Sequence, residues 1–302
     1  MLDPAAEAAH QDEARLDATS GGLGNPGFGG SSEALRPDET RAGDSRATLL
    51  RYTQVVIRSV ASIRPLRAAQ GIRAIFADPD DTKQVFKVIE ALQGPALMRT
   101  HGRMTQSETG RRLLQTRPDL LAVLCDRERL AALPEGTLGH AYLAFVESEG
   151  ITADGLVEAS LVAQPIVEPE LAWVRNWLRD THDLWHTVLG YRGDLVGEAA
   201  LLAFSHTESS NWGVGLIAAF AWLKLGRVTE PSLHARKHVV DGRRIARRAA
   251  WFLDVPWHEW LDRPLADVRR DLGISGPVEY TPVRASEIDN TLFGRRRAKT
   301  SH

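Results

Sequence analysis

Cysteine is nearly missing from this 302-residue chain: Cys125 stands alone. An intrachain disulfide and a cysteine-rich zinc site are therefore excluded. Long apolar runs are missing too. No stretch without charge is longer than 209–223, which falls short of the roughly 20 residues a spanning helix needs and is diluted by Ser, Asn and Gly. Charge of one sign does not accumulate. The net value is −2, which speaks against a generally basic nucleic-acid binder, so no nucleic-acid partner is expected. Alternating apolar–polar runs with turn signals are almost absent, which argues against sheets. The start, MLDPAAEAAHQDEARLD, has no basic residues followed by an apolar stretch, as a secretory signal would. It is acidic where a mitochondrial transit peptide is rich in arginine. The expectation is a cytoplasmic protein with room for peripheral membrane contact.

What is present is an ordinary globular composition, 43% apolar and 25% charged. Residues 1–45 are the exception, with nine acidic side chains, three arginines and the string GGLGNPGFGGSS. Such a segment buries too little apolar surface to offset its ordering entropy, and a disordered tail is expected. A basic tail is expected over 287–302, which ends GRRRAKTSH. Between them the apolar period is helical. Val85, Val88, Ile89 and Leu92 recur at spacings of three and four after Asp80-Asp81, and Gly94-Pro95 closes the run. Further helices are expected over 108–116, 118–131 (with Pro118 at its first position), 137–149, 168–189, 194–209, 212–225, 231–252 and 256–272. No linker rich in Pro, Gly or Ser divides residues 46–286, so the reading is all-α, one multi-helix domain.

The segment 168–204 carries the chemistry. Leu171, Val174, Leu178, His182, Trp185 and Leu189 fall on one stripe, which puts His182 on the face to be buried. His186 follows one turn later, and Asp183 lies beside them. The three side chains span roughly a 100° arc of one helix. Gly190 ends that helix and Asp194 can cap the next. There Glu198 shares the apolar side with Leu195 and Leu202, a costly place for a carboxylate unless it is paired or bound to a metal. His182, Asp183, His186 and Glu198 are therefore candidate ligands of one divalent metal. Imidazole with carboxylate suits Zn, Fe(II), Mn or Co and fits Ca poorly. The plainer alternative makes His182 a hydrogen-bonded core histidine, Asp183 a solvated acid and Glu198 a partner of Arg192. The zincin pattern HExxH needs Glu where Asp183 stands. Histidine–aspartate phosphohydrolases need further separated ligands, which leaves a metal hydrolase of phosphate esters as a weaker third reading.

The string HDLWHTVLGYRGDLVGE, 182–198, fits HD-x2-H-x11-E. It resembles the signature of the ubiquinone (coenzyme Q) biosynthesis family of the Coq-four type. PELAWVRNWLRDTHDLWHTVLG, DPDDTKQVFKVIEALQG, RRLLQTRPDLLAVLCDRERLAALPEGTLGHAYLAFVESEG and PWHEWLDRPLADVRRDLGI are similar to that family's other helices, so the likeness covers about residues 60 to 275. Departures are His140, where the family often has Arg, and Val196, where it usually has Leu. After Phe204 the likeness is loose.

The resemblance implies an all-helical, often dimeric protein, peripheral on the membrane that houses quinone synthesis. Here that would be the inner membrane of a bacterium, given the acidic start. It implies a metal on His182, Asp183, His186 and Glu198, a polyprenylated quinone precursor as substrate, and other ubiquinone biosynthesis enzymes as partners. The implied reaction is decarboxylation with hydroxylation at the carboxyl-bearing carbon of a prenylated 4-hydroxybenzoate-derived ring. The alternative role is a non-enzymatic lipid-binding organiser of the pathway's enzymes. Hydroxylation needs an oxidant, and two histidines plus carboxylate with open positions let Fe(II) activate dioxygen. Leu216, Ile217, Phe220 and Leu223 offer an apolar surface, either core or a groove for the prenyl tail. Arg244, Arg247 and Arg248 are either a solvated helix face or contacts for lipid phosphates.

Overall fold

A computed structural model of the chain describes residues 63–77, 82–153, 155, 166, 168–229 and 233–284. All of them belong to one unit, residues 48–302. The expected tails at 1–45 and 287–302 lie outside the described residues, as does the start of the domain at 46–62.

Helices account for the described secondary structure in chain order: α1 (Pro65–Ala77), α2 (Thr82–Ala91), α3 (Ala96–Met104), α4 (Glu108–Thr116), α5 (Leu120–Cys125), α6 (Arg127–Ala131), α7 (Leu138–Glu149), α8 (Pro169–Asp180), α9 (His182–Leu189), α10 (Leu195–Ser209), α11 (Trp212–Val228), α12 (Ala235–Ala246), α13 (Trp257–Trp260) and α14 (Leu265–Asp271). A 3-10 turn, Phe252–Asp254, stands between α12 and α13. No strand occurs among the described residues, only an antiparallel bridge between Thr137 and Pro264. That bridge has a purpose at the start of α7. The Leu138 and Gly139 N–H groups, which no helical carbonyl can reach, donate to Arg263 O and Leu261 O at 2.9 and 2.7 Å.

The all-α reading holds, and several boundaries move. The segment read as one helix over 118–131 is two. The Asp119 side chain accepts from Ala122 N, Asp126 accepts from Arg129 N, and each acid starts its own helix. The run 168–189 is interrupted at Thr181, although the hydrogen bonds Thr181 N to Trp177 O and Trp185 N to Thr181 O, both 3.1 Å, bridge the break. The run 231–252 contracts to 235–246. The run 256–272 splits into α13 and α14 around Asp262-Arg263-Pro264. Helices α1 and α3 were not anticipated; Gly102 and His101 in ALMRTHGRM blur the apolar period of α3.

Helix α10 sits between two apolar clusters. Ala200, Leu201 and Phe204 join Trp185, Phe252 and Trp257 in the larger one. Val196, Ala199 and Ala203 join Leu225, Ala235 and Val239 in the smaller. Trp185, Phe204 and Phe252 meet edge to face, with centroids 4.9–5.9 Å apart. Helix α12 crosses α10 closely at Gly242, where an added Cβ would stand 2.3 Å from Ala200 O.

The end of α10 carries a buried acid. Glu208 is 7% exposed, and its Oε2 accepts from Phe252 N at 2.7 Å. Burial, helped by Asp254, pushes its carboxyl up to about 8 against the pull of Arg103 and that N–H. A carboxyl raised on folding loses stability as pH climbs from its unfolded value of 4.5 toward about 8. The contribution falls by up to roughly 1.4 kcal/mol per pH unit. Glu208→Gln keeps an acceptor oxygen without the charge. Its urea midpoint is expected to exceed that of the parent at pH 8 and to approach it near pH 5. Parallel pH profiles for the two chains would show that Glu208 is ionised at no cost.

Candidate metal centre

The two histidines and the glutamate are brought together by a short connection. Helix α9 ends at Gly190, whose φ of 82° is the left-handed cap conformation that glycine adopts freely. An added Cβ there would also lie 2.6 Å from Pro277. Helix α10 begins at Asp194, a carboxylate only 6% exposed. Asp194 Oδ1 accepts from Val196 N at 3.0 Å, which caps the helix, and from Val283 N at 2.9 Å. Its Oδ2 accepts from the Tyr280 hydroxyl. That hydroxyl in turn accepts from Arg192 N at 2.9 Å, and Leu195 N donates to Val283 O at 3.0 Å. The segment 277–284 thus straps the α9–α10 connection, and one acid ties cap, turn and strap together.

Within this frame His182, His186 and Glu198 each present one ligand atom, all within 4.8 Å of one another. The two Nε2 atoms are 3.2 Å apart. Glu198 Oε1 lies 3.2 Å from His186 Nε2, and Oε2 lies 3.6 Å from His182 Nε2. Ligand atoms about 2.0–2.1 Å from a tetrahedral centre are about 3.3 Å apart, so the triangle has the right edge lengths. His186 is oriented from behind. Its Nδ1 donates to Tyr191 O at 3.1 Å, because a carbonyl can only accept. Its Nε2 lone pair is therefore turned toward the triangle in the neutral ring. Phe145 of α7 stacks on the same ring at 5.3 Å.

The three groups also pair with one another electrostatically. Burial alone would raise the Glu198 carboxyl, but the two imidazoles hold it far below the usual carboxylate range. Burial would lower His182, yet the Glu198 hydrogen bond and charge carry it above its ordinary value. Glu198 does not pair with Arg192, as the plainer alternative required; Arg192 is exposed.

Asp183 is the member of the predicted set that stays outside the triangle. It is 6% exposed rather than solvated, and it lines the same cavity as His182 and Glu198. Burial raises its carboxyl, with the histidines opposing. Sequence reasoning missed Tyr142, whose buried hydroxyl has no hydrogen-bond partner among the described residues. Burial first and the Asp183 charge second raise its pKa. Its i, i+3 spacing to Phe145 was the available signal, and nothing local connected it to α9.

The triangle opens into a cavity of about 1180 Å³. The side of α10 read as core, Leu195 and Leu202 with Glu198, is part of the cavity wall. Ile217, Phe220 and Leu223 of α11 line it too, while Leu216 does not. Ile72, Ile75, Val85 and Phe86 of the α1–α2 pair add further apolar wall. Arg175 and Arg179, two turns and one turn before His182, supply cations along it.

The model described as Coenzyme Q (ubiquinone) biosynthesis protein Coq4 matches residues 52–278. The Ubiquinone biosynthesis protein COQ4, mitochondrial, of Pyricularia oryzae is 31% identical over 225 residues, 74% of this chain and 70% of its own. The mitochondrial COQ4 homolog of Aedes aegypti is 29% identical over 212 residues, 69% of this chain and 74% of its own. A crystal structure of a protein assigned to ubiquinone biosynthesis in Nostoc punctiforme PCC 73102 superposes with a TM-score of 0.55 at 20% identity. The match covers 71% of this chain and 100% of that one, and it shows a shared fold.

Asp194→Ala removes three hydrogen bonds at once, one of them the helix cap. It is expected to cost on the order of 3 kcal/mol in chemical denaturation, and Tyr280→Phe about 1 kcal/mol. Equal losses for the two would show that the acid is not the hub of the strap.

Proposed function

This chain belongs to the Coq4 family of coenzyme Q (ubiquinone) biosynthesis proteins, and from that membership we propose a metal-dependent step for it within ubiquinone synthesis. The step removes the carboxyl group from a prenylated 4-hydroxybenzoate-derived ring and places a hydroxyl at the same carbon. The observation that carries this reading is the His182–His186–Glu198 triangle opening into a large, mostly apolar cavity.

His182, His186 and Glu198, with Asp183 beside them, would hold one divalent cation: Zn, Fe(II), Co or Mn. Such a cation supplies Lewis acidity toward the ring's carboxylate or phenolate and, if redox-active, a route for dioxygen as the oxidant. The chain's own residues prepare the site. The Tyr191 carbonyl fixes the His186 tautomer, and Glu198 stays ionised. The apolar wall of α10 and α11 takes the prenyl tail and keeps water from the ring. Arg175, on the same wall, offsets the negative charge of the ring's carboxylate, while Arg179 pairs with Asp180 at 2.7 Å. An oxygen would first bond to the carboxyl-bearing carbon as the para phenolate becomes a ketone; the ring–carboxyl bond then breaks, its electron pair restores the aromatic ring and the phenolate, carbon dioxide leaves, and dioxygen takes up the two electrons as hydrogen peroxide.

An organiser that only carries the lipid needs the cavity, but it has no use for two imidazoles and a carboxylate turned into one end. We place the chain peripherally on the membrane where quinones are made, working with other ubiquinone biosynthesis enzymes and able to pair with a second copy. No helix of the described residues is long and apolar enough to cross a membrane. The curated relatives are named mitochondrial.

His182→Ala and Glu198→Ala are each expected to strip most of the bound metal from purified protein, read by elemental analysis. Full occupancy in the double variant would end the metal proposal. Purified protein supplied with metal, oxygen and a prenylated hydroxybenzoic acid is expected to release carbon dioxide. Tail binding without release would favour the organiser.

A further inference from the structure

A second concavity of about 470 Å³ has a lining without a single carboxylate. Arg99 of α3, Arg243 of α12 and Arg247 just beyond it face this groove, with His206 and the hydroxyls of Thr207 and Ser210. All three arginines are exposed, and no acid pairs with them among the described residues. Their neighbour Arg244 is different: it pairs with Asp241 at 3.1 Å. Guanidinium groups stay charged at any working pH, so three around one hollow repel one another until an anion arrives. Phosphate oxygens match the guanidinium fork.

The groove is also flanked by apolar surface. Trp212, at the start of α11, lines it and leaves 64% of its surface exposed. Val240, 40% exposed, lies on the same helical stripe as Arg243 and Arg247. Inorganic phosphate makes no use of a bare indole. An indole beside cations does suit the headgroup level of a bilayer, where its apolar body enters and its N–H stays wet. We propose that this groove docks the protein on a membrane through the phosphate heads of anionic phospholipids, with Trp212 inserted beside them.

The position is useful for the reading given above. Ser209 and Asn211 line the large cavity, whereas Ser210 and Trp212 line the groove. Docking there sets the bilayer next to one end of the cavity. Glu198 is on the same helix, α10 (Leu195–Ser209), about 16 Å from that end at 1.5 Å per residue. A prenyl tail rooted in the membrane would span the cavity with its ring at the histidines. That last link rests on the proposed function; the docking itself rests on the groove alone.

The test is flotation of the full chain with phosphatidylcholine vesicles, with and without phosphatidylglycerol. Wild-type protein is expected to float only with the anionic vesicles. Arg243→Gln with Arg247→Gln should weaken this by about 25-fold, roughly five-fold per arginine. Trp212→Ala should weaken it as well, with melting and metal content unchanged. Arg73→Gln with Arg129→Gln, two exposed arginines elsewhere, should bind as wild type. Undiminished flotation of the groove variants would overturn the proposal, as would an equal loss in the control pair. So would a groove variant that loses inorganic phosphate in calorimetry yet floats normally, which would mark a site for soluble phosphate. None of these variants touches the metal triangle, so metal loss and vesicle loss fail independently.

Discussion

The candidate centre depends on one buried carboxylate that is not part of it. Asp194 caps α10, accepts from the strap at Val283 and from Tyr280, and so fixes where α10 begins relative to the end of α9. The histidines ride on α9 and the glutamate on the first turn of α10. A shift at the connection would move Glu198 away from both rings. A free surface cap contributes about 1 kcal/mol. Here the cap's acid also satisfies strap donors that would otherwise be buried unpaired, so the same atom holds local and long-range structure. The close pass of Pro277 over Gly190 leaves room for no side chain at that turn.

The second constraint is that part of the apolar surface is not packed by other side chains of the chain. Leu195, Leu202, Ile217 and Phe220 sit at core-like spacings yet face a cavity. Apolar wall without side-chain neighbours gives up dispersion contacts within the chain. The larger cluster around Trp185, Phe204, Phe252 and Trp257 supplies the packing that compensates. The two faces of α10 thus do different work, one gripping the core and the other walling a hollow fit for a lipid chain.

Much of this was legible in the sequence, and the exceptions have a common cause. Of the predicted stripe, Leu171, Val174, Trp185 and Leu189 are buried, while Leu178 and His182 are half-buried and line the cavity. Helix 108–116 has its predicted bounds. Gly190 and Asp194 cap where they were read to cap. What local pattern could not show was contact across long sequence separations. Tyr280 and Val283 reach back to Asp194, and Tyr142 and Phe145 back the centre from α7. The breaks at Asp126 and Thr181 were hidden because apolar spacing runs across them, and only an acid's choice to cap ended the helix at Asp126. The groove was half visible. The arginine run was noticed, but which of its members faced a shared hollow needed α3 and α11 in place.

The placement of Glu198 bears most on the choice between the plain and the chemical readings. An acid on an apolar helix face can be explained by an ion pair, and Arg192 was the nearest candidate in sequence. The carboxylate instead turns to the two imidazoles. With His186 Nδ1 committed as donor to Tyr191 O, its Nε2 has no proton in the neutral ring. It then faces another Nε2 at 3.2 Å and a carboxylate oxygen at 3.2 Å. One shared proton can satisfy one of those contacts; it leaves lone pairs facing each other across the remainder. A divalent cation satisfies all three at once, because each atom then donates inward and none needs a hydrogen. With neutral rings the arrangement is therefore poor as a hydrogen-bond network and good as a ligand set, whereas a protonated ring donates to Glu198 and forms the ion pair that raises His182 and lowers Glu198.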